Sequence, residues 1–490
     1  MEKHPLPLIS PEEAGIPSSA IVEFLEAVEK KRVCLHSFML IRGGKIAYEA
    51  NWAPITPDFL HRMYSVSKSF VSVGIGFMVD EGRITLDDRI IDYYPEKAPA
   101  NPHPYMARTT IRDLLKMSSI HDMQPYDGAK DLDWISCFFD TEPTHLPGTV
   151  FMYDTMGTVL CCALIERLTG MTLLEYLRPR LLDQIGFSED AWCVKTPCGY
   201  SWAGSGIMCT ARDLAKFALT CMNDGQFEGV QLIPRDYIRE ATSYQIDNRV
   251  NNVSIQCGYG YQFWRMPENG FACVGMGSQL AICLPDRDLM FVTTGDTQEF
   301  EGHQYTAYEL FYDILLPAVS DGSVGVDAKA VARLKELTAT RSIQTTAGLT
   351  SSPCASKFSG KTFIMDKNAL GFKKLRFDFA GNEGRMTYET GRGNHEISFG
   401  FGKQVIGKFP ETHYSGAQIS VPKGDGYRYA ASAAWDTADS LMLYCYIIDD
   451  YFGTLKMNFS FREDSVTLTS SKVAEWFLDE YVGFASGFLA

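Results

Sequence analysis

The stretch His61–Gly82, HRMYSVSKSFVSVGIGFMVDEG, decides how the rest of the chain is read. From Phe70 to Val79 it is mostly Val, Ile, Phe, Met and Gly, which predicts a buried helix closing at Gly82. At its head Ser65 stands three residues before Lys68. Residues i and i+3 share one helix face, about 5–6 Å apart at Cβ, so the hydroxyl and the amine point the same way. A lysine beside the first turn of a buried helix costs free energy unless it is paired or neutral. Desolvation favours the neutral amine, which could take the proton of Ser65 near neutrality. The first turn also offers free N–H groups and the positive end of the helix dipole, which suit an alkoxide and a developing oxyanion. The plainer alternative is a serine cap with a lysine reaching to solvent.

Ser-x-x-Lys is short enough to arise by accident in a chain of 490 residues. A second copy, Ser420-Val-Pro-Lys423, serves as a control: Pro422 blocks a helix there, so its two side chains need not converge. There is no Gly-x-Ser-x-Gly elbow, and the nine histidines form neither His-Glu-x-x-His nor another metal spacing, so no metal or organic cofactor is implied. His121 reads as a structural or substrate-rim residue. Trp134, Trp202 and Trp264 could line a cleft for uncharged acyl groups or pack in the core.

The length predicts two or more domains. Hydrophobic residues are 46% and charged residues 21%, ordinary for a soluble globular protein. A net charge of −15 disfavours nucleic acid and anionic membranes as partners, because both need a positive field. No apolar run is long enough to span a bilayer. The first residues, MEKHPLPLISPEEAG, lack a signal-peptide pattern. The 13 cysteines are odd in number, include the neighbours Cys161 and Cys162, and never form Cys-x-x-Cys. Reduced thiols in a cytoplasmic protein are the expectation.

Residues His36–Trp52 read as two strands around Gly43-Gly44, and GGK is then a hairpin turn rather than a phosphate loop. Helices are expected over Thr109–Asp122, Thr155–Gly170 and Thr210–Gly225, the last capped by Thr210. Strand patterns return in CGYGYQFW, LAICLP and LMFVTT, between Cys257 and Thr294. This order predicts an α/β domain over residues 1–340 with a helical insertion about 85–215. A Ser/Thr/Gly-rich linker follows over 341–356. From 357 to 490 short alternating segments, GKTFIM through SVTLTSS, predict an antiparallel β-barrel or sandwich.

YSVSKSF, then IGFMVDEGRITLDDRIIDYYPE, TTIRDLLKMSS and LPGTVFMYDTMGTVLCCALIERLTG, in that order and spacing, resembles the serine β-lactamase-related hydrolases. These are penicillin-binding-protein-like enzymes and include class C β-lactamases, D-aminopeptidases, esterases and 6-aminohexanoate-dimer hydrolases. The resemblance runs from about Ala14 to Pro317. It implies an antiparallel sheet flanked by helices, with Ser65 as nucleophile and Lys68 as base. The family's Tyr-x-Asn motif falls on Tyr153-Asp154-Thr155. A neighbouring ammonium would stabilise the phenolate of Tyr153 and let it share the serine proton with Lys68. Thr155 keeps a hydroxyl but lacks the amide that binds a substrate carbonyl.

The family's Lys-Thr-Gly is absent, and its counterpart is Cys273-Val274-Gly275. By the same resemblance Thr155, Cys273 and Gly275 contact substrate, and the N–H groups of Ser65 and Met276 form the oxyanion hole. Cys273 in place of lysine implies weak β-lactamase activity, and Cys273 is expected as a small packed residue rather than a second nucleophile. The C-terminal region is expected as a lipocalin-like barrel that could bind an apolar ligand, shape substrate access or build a homodimer, with a purely structural role the simplest.

The activity implied is hydrolysis of a small ester or amide through an acyl-enzyme. A D-amino-specific peptidase or amidase with the same machinery, and a weakly active or non-catalytic penicillin-binding-like module, are the alternatives.

Overall fold

A computed structural model of the chain describes residues 3–122, 133–249, 255–298, 303–410, 427–449, 452–474 and 478–490. The Ser420–Lys423 copy lies outside the described residues. The described residues divide into two compact units, one from 3–52 and 56–341, the other from 53–55 and 342–490.

In the first unit β1 (Leu35–Arg42) and β2 (Lys45–Asn51) form an antiparallel hairpin. Gly43 and Gly44 both adopt left-handed φ, 58° and 68°, as a tight hairpin turn requires. The chain then leaves the sheet and returns as β3 (Trp264–Arg265), β4 (Phe271–Gly275), β5 (Gln279–Leu284) and β6 (Leu289–Gly295). The six strands pair antiparallel in the order β2-β1-β6-β5-β4-β3. Every residue of β5 and β6 is buried, which explains why LAICLP and LMFVTT read as continuous apolar runs.

Helix α1 (Ser18–Lys30) lays Phe24 against Phe38 and Phe291, ring centroids 4.7 and 5.7 Å apart. Helix α2 (Ser67–Asp80) is buried nearly throughout. Its Gly76 is required by close approach, since a Cβ there would run into the ring of Tyr237. Helix α3 (Thr155–Thr169) ends at Gly170, φ 70°. Helix α4 (Ala211–Met222) starts from a Thr210–Asp213 capping box and stacks Phe217 on Phe70 of α2, centroids 3.8 Å apart.

Two expectations are corrected. The helix expected over Thr109–Asp122 is formed only over Ile111–Leu115. Met117 turns left-handed, φ 56°, and frees the next carbonyls for another segment. The carbonyls of Met117 and Ser118 accept from the N–H groups of Met152, 2.7 Å, and Gly148, 2.8 Å. Local helical pattern thus yields to pairing with the loop that carries Tyr153. In CGYGYQFW only Trp264 is in a strand, because Gln262 is left-handed, φ 63°.

The second unit is an antiparallel barrel, as expected. Strands Thr362–Met365, Lys374–Ala380, Glu383–Thr390, Gly393–Phe401, Arg428–Thr437, Ser440–Ile448, Phe452–Arg462, Ser465–Ala474 and Gly483–Leu489 form the ring. Parallel pairing of Gly400 with Ser432 and Phe401 with Ala433 closes it, and Val405–Lys408 pairs beside Arg428–Ala431. The sequence pattern missed Gly483–Leu489. There Phe484 and Phe488 face outward, while Gly487 faces Ile364, whose carbonyl would lie 2.5 Å from an added Cβ. Large-out, small-in alternation hides the usual strand signature. Rings fill the barrel: Phe377–Phe459 at 4.9 Å, Phe358–Phe461 at 5.1 Å and Trp435–Phe461 at 5.8 Å. Such packing suits a structural core.

No single helix among the described residues is long and apolar enough to cross a membrane. No disulfide joins the described cysteines.

Candidate active site

Ser65 lies in a 3₁₀ turn, Tyr64–Val66, that runs directly into α2. Tyr64 just before it is left-handed, φ 46°, an uncommon conformation for a bulky residue that sharpens the entry to the helix. Helical spacing does what the sequence predicts: Lys68 Nζ is 2.9 Å from Ser65 Oγ. Lys68 is only 1% exposed. It also donates to the carbonyl of Gly204, at 2.6 Å. Thus the amine does not reach solvent, and the snorkelling alternative is set aside.

Tyr153 arrives from the loop before α3. Its hydroxyl hydrogen-bonds the side chain of Ser65. Lys68 Nζ sits over the ring face, 5.1 Å from its centroid. Trp264 stacks on the same ring at 5.4 Å, while Tyr259 and Phe151 stand 6.4 and 6.5 Å away. Burial pushes the Tyr153 phenol well above its ordinary pKa; the bond to Ser65 opposes this only in part. This corrects the expectation of a phenolate stabilised by Lys68. Lys68 Nζ lies over the ring, and burial of the phenol oxygen favours the protonated hydroxyl.

Asp154, the middle residue of the motif, is the N-cap of α3. Its carboxylate accepts from Met156 N, 2.7 Å, Gly157 N, 3.1 Å, and Ser119 Oγ, 3.1 Å. Burial raises its pKa to about 6 against the pull of these bonds and of Lys68. Thr155 is half-buried, and its Cγ2 would lie 2.5 Å from a Cβ on Gly204. A side chain at 204 would therefore crowd Thr155 at the helix start, beside the carbonyl that receives Lys68.

Strand β4 passes the other side of Ser65. A Cβ on Gly275 would lie 3.2 Å from Ser65 N and 3.1 Å from Gln279 Cβ. The turn beyond is tight, with Gly277 at φ 80° and Ser278 at φ 70°. Gln279 steadies it by donating to the carbonyls of Met276, 2.7 Å, and Gly295, 2.9 Å. Met276 is half-buried. Cys273 is wholly buried, and burial pushes its thiol up to about 12. Val274 is the half-buried residue of β4. A thiol so placed packs the strand and is far from a reactive thiolate.

The remaining aromatic and histidine candidates are packing residues. Trp134 and Trp202 are fully buried and meet edge-to-face at 5.7 Å. Trp264 supports Tyr153. His121 is buried, 3.1 Å from the carbonyl of Thr141, and burial lowers its pKa. Sequence reasoning passed over Gly204, whose contribution is a backbone oxygen. The glycine-rich run Ala203-Gly204-Ser205-Gly206 was its one visible signal.

Several known proteins resemble this chain. A family model described as Beta-lactamase matches residues 29–310. The 6-aminohexanoate-dimer hydrolase of Paenarthrobacter ureafaciens is 26% identical over 284 residues, 52% of this chain and 71% of that protein. Penicillin-binding protein 4 of Amycolatopsis lactamdurans is 26% identical over 181 residues, 36% of this chain and 45% of that protein. The octameric penicillin-binding protein homologue from Pyrococcus abyssi shares the fold over 96% of this chain and 99% of its own, with a TM-score of 0.50 and 15% identity.

Proposed function

This chain belongs to the beta-lactamase family, and on that premise we propose that it is a serine hydrolase cleaving a small ester or amide through an acyl-enzyme on Ser65. The observation that carries the reading is the buried amine of Lys68 at 2.9 Å from Ser65 Oγ. As a free amine at that distance, Lys68 takes the hydroxyl proton while Oγ attacks the carbonyl carbon. The carbonyl oxygen becomes an oxyanion, held by the N–H groups of Ser65 and Met276. Its collapse breaks the bond to the leaving alcohol or amine. The Tyr153 hydroxyl passes a proton to that leaving group, and the proton that Lys68 took from Ser65 returns to the phenol oxygen. Water then repeats the attack on the acyl-enzyme with Lys68 again as base, releasing the acid and restoring Ser65.

Substrate contact is assigned to Thr155 and Gly275, the latter supported by its closeness to Ser65 N, whereas the burial of Cys273 argues for support of the strand behind it. An amide substrate is favoured as a second reading by the 6-aminohexanoate-dimer hydrolase relative, since two amino acids condensed into a dimer are joined by an amide. A fluorophosphonate probe tests the proposal. Wild-type protein is expected to label, and Ser65→Ala to lose the label. An unlabelled wild type favours a binding module that kept the fold, and a panel of matched esters and amides then separates the two substrate classes.

A further inference from the structure

We propose that Arg62 is a positioning residue whose guanidinium clamps the approach to Ser65 onto the loop that holds Lys68. The inference rests on the Ser65–Lys68 reading above and adds a residue to it. Arg62 is fully buried, 0% exposed, three residues before Ser65. Its Nε donates to the carbonyl of Ser205 at 3.1 Å, and its Nη2 donates to Ser205 Oγ at 3.1 Å. The neighbouring carbonyl, that of Gly204, is the one that receives Lys68 Nζ. A single guanidinium is therefore one peptide unit away from the acceptor that aims the amine.

The same group fixes the nucleophile's side. Arg62 Cζ lies 4.4 Å from the ring centroid of Tyr64 and 4.9 Å from that of Trp202. Tyr64 is the left-handed residue leading into Ser65, and Trp202 begins the loop. That loop is a tight turn in which the carbonyl of Trp202 accepts from Ser205 N, 3.0 Å, and Gly206 N, 2.7 Å. The backbone of Arg62 pairs with Met208 just beyond it. Side chain and main chain of one residue thus tie Tyr64–Ser65 to Trp202–Gly206.

A burial this complete is costly for a cation, and a guanidinium is the cation that tolerates it. It is weakly hydrated, its flat faces stack on aromatic rings, and its fork reaches two oxygens of one residue. A lysine could supply the charge but not the fork.

Removing the clamp should let the Gly204 carbonyl drift, so that Lys68 loses its aim at Ser65 while the substrate-facing groups stay in place. The test uses the full chain with Arg62→Lys and Ser205→Ala. Hydrolysis of p-nitrophenyl acetate is measured, and functional serines are counted with the fluorophosphonate, giving kcat per titrated site. Arg62→Lys is expected to lower kcat per site by about tenfold or more with KM nearly unchanged, because misplacement of a catalytic group acts on turnover. Ser205→Ala, which removes one of the two acceptors, is expected to lower it about threefold in the same way. Wild-type kcat per site in both variants, with only the number of titratable sites reduced, overturns the inference and leaves Arg62 a folding residue. Should Arg62→Lys fail to fold, Ser205→Ala decides alone. A wild type that does not label overturns the hydrolase reading, and this inference falls with it; a labelled wild type with unimpaired variants overturns this inference only.

Discussion

Gly275 abuts the amide of Ser65: a Cβ added at position 275 would stand 3.2 Å from Ser65 N and overlap the carbonyl oxygen of Met63. The end of β4 and the turn that presents the hydroxyl are therefore in backbone contact, the arrangement an oxyanion site between Ser65 and Met276 needs.

Gly275→Ala should force β4 away from that turn. The expected loss is at least about tenfold in kcat/KM and about 1–3 kcal/mol in stability, as for overpacking elsewhere. Thermal unfolding and ester hydrolysis measure both. A variant with normal turnover would show that the strand end has slack and that no donor depends on its position.

Lys68→Met should keep the fold, since the site is buried and the replacement is apolar. It should lose about 10²–10⁴-fold in turnover, the usual contribution of a general base. Tyr153→Phe keeps the ring on Trp264 and removes only the hydroxyl that meets Ser65. Its loss should be largest for alkyl esters or amides, whose leaving groups need a proton, and small for p-nitrophenyl esters. Equal losses with both leaving groups would reassign the phenol from proton donor to nucleophile positioning.

Cys273→Lys, which restores the residue type of the family's third motif, should not create a β-lactamase. The side chain at 273 is wholly buried, so the new ammonium would be stranded without solvent, at about 3 kcal/mol or more. We expect a lower unfolding midpoint and no gain in nitrocefin hydrolysis, with the wild type turning over neutral esters faster than nitrocefin. A stable variant with raised nitrocefin turnover would place position 273 at the substrate after all.

His36 and His61 share a hydrogen bond of 2.8 Å and are fully buried. Burial lowers the pKa of His36 well below its ordinary value and that of His61 to about 3. Both folded values lie below the unfolded one, near 6.5. The stability they contribute is therefore complete above pH 6.5 and is lost as pH falls towards 3, by about 1.4 kcal/mol per pH unit for each ring. Denaturant unfolding at pH 7, 6 and 5 should show this slope, and His61→Gln should flatten it. An equal slope in that variant would mean that other groups govern acid unfolding.

The sequence by itself determined whatever repeats over a few residues. Helical spacing put Ser65 beside Lys68, glycine pairs placed the β1–β2 turn, Thr210 marked the start of α4, and alternation gave most of the barrel. Each depends on backbone geometry within one element, so neighbouring letters carry it. Tertiary structure decided the rest. The segment after Leu115 left its helix to pair with the Tyr153 loop. The anchor of Lys68 proved to be a carbonyl at Gly204, which no side chain announces. Burial of its oxygen shifts the Tyr153 phenol upward, against the phenolate expected beside Lys68. Gly483–Leu489 completed the barrel with its large residues outward. These outcomes depend on which distant groups meet and how much water they lose, and desolvation is set by three-dimensional packing, which the order of residues along the chain does not display.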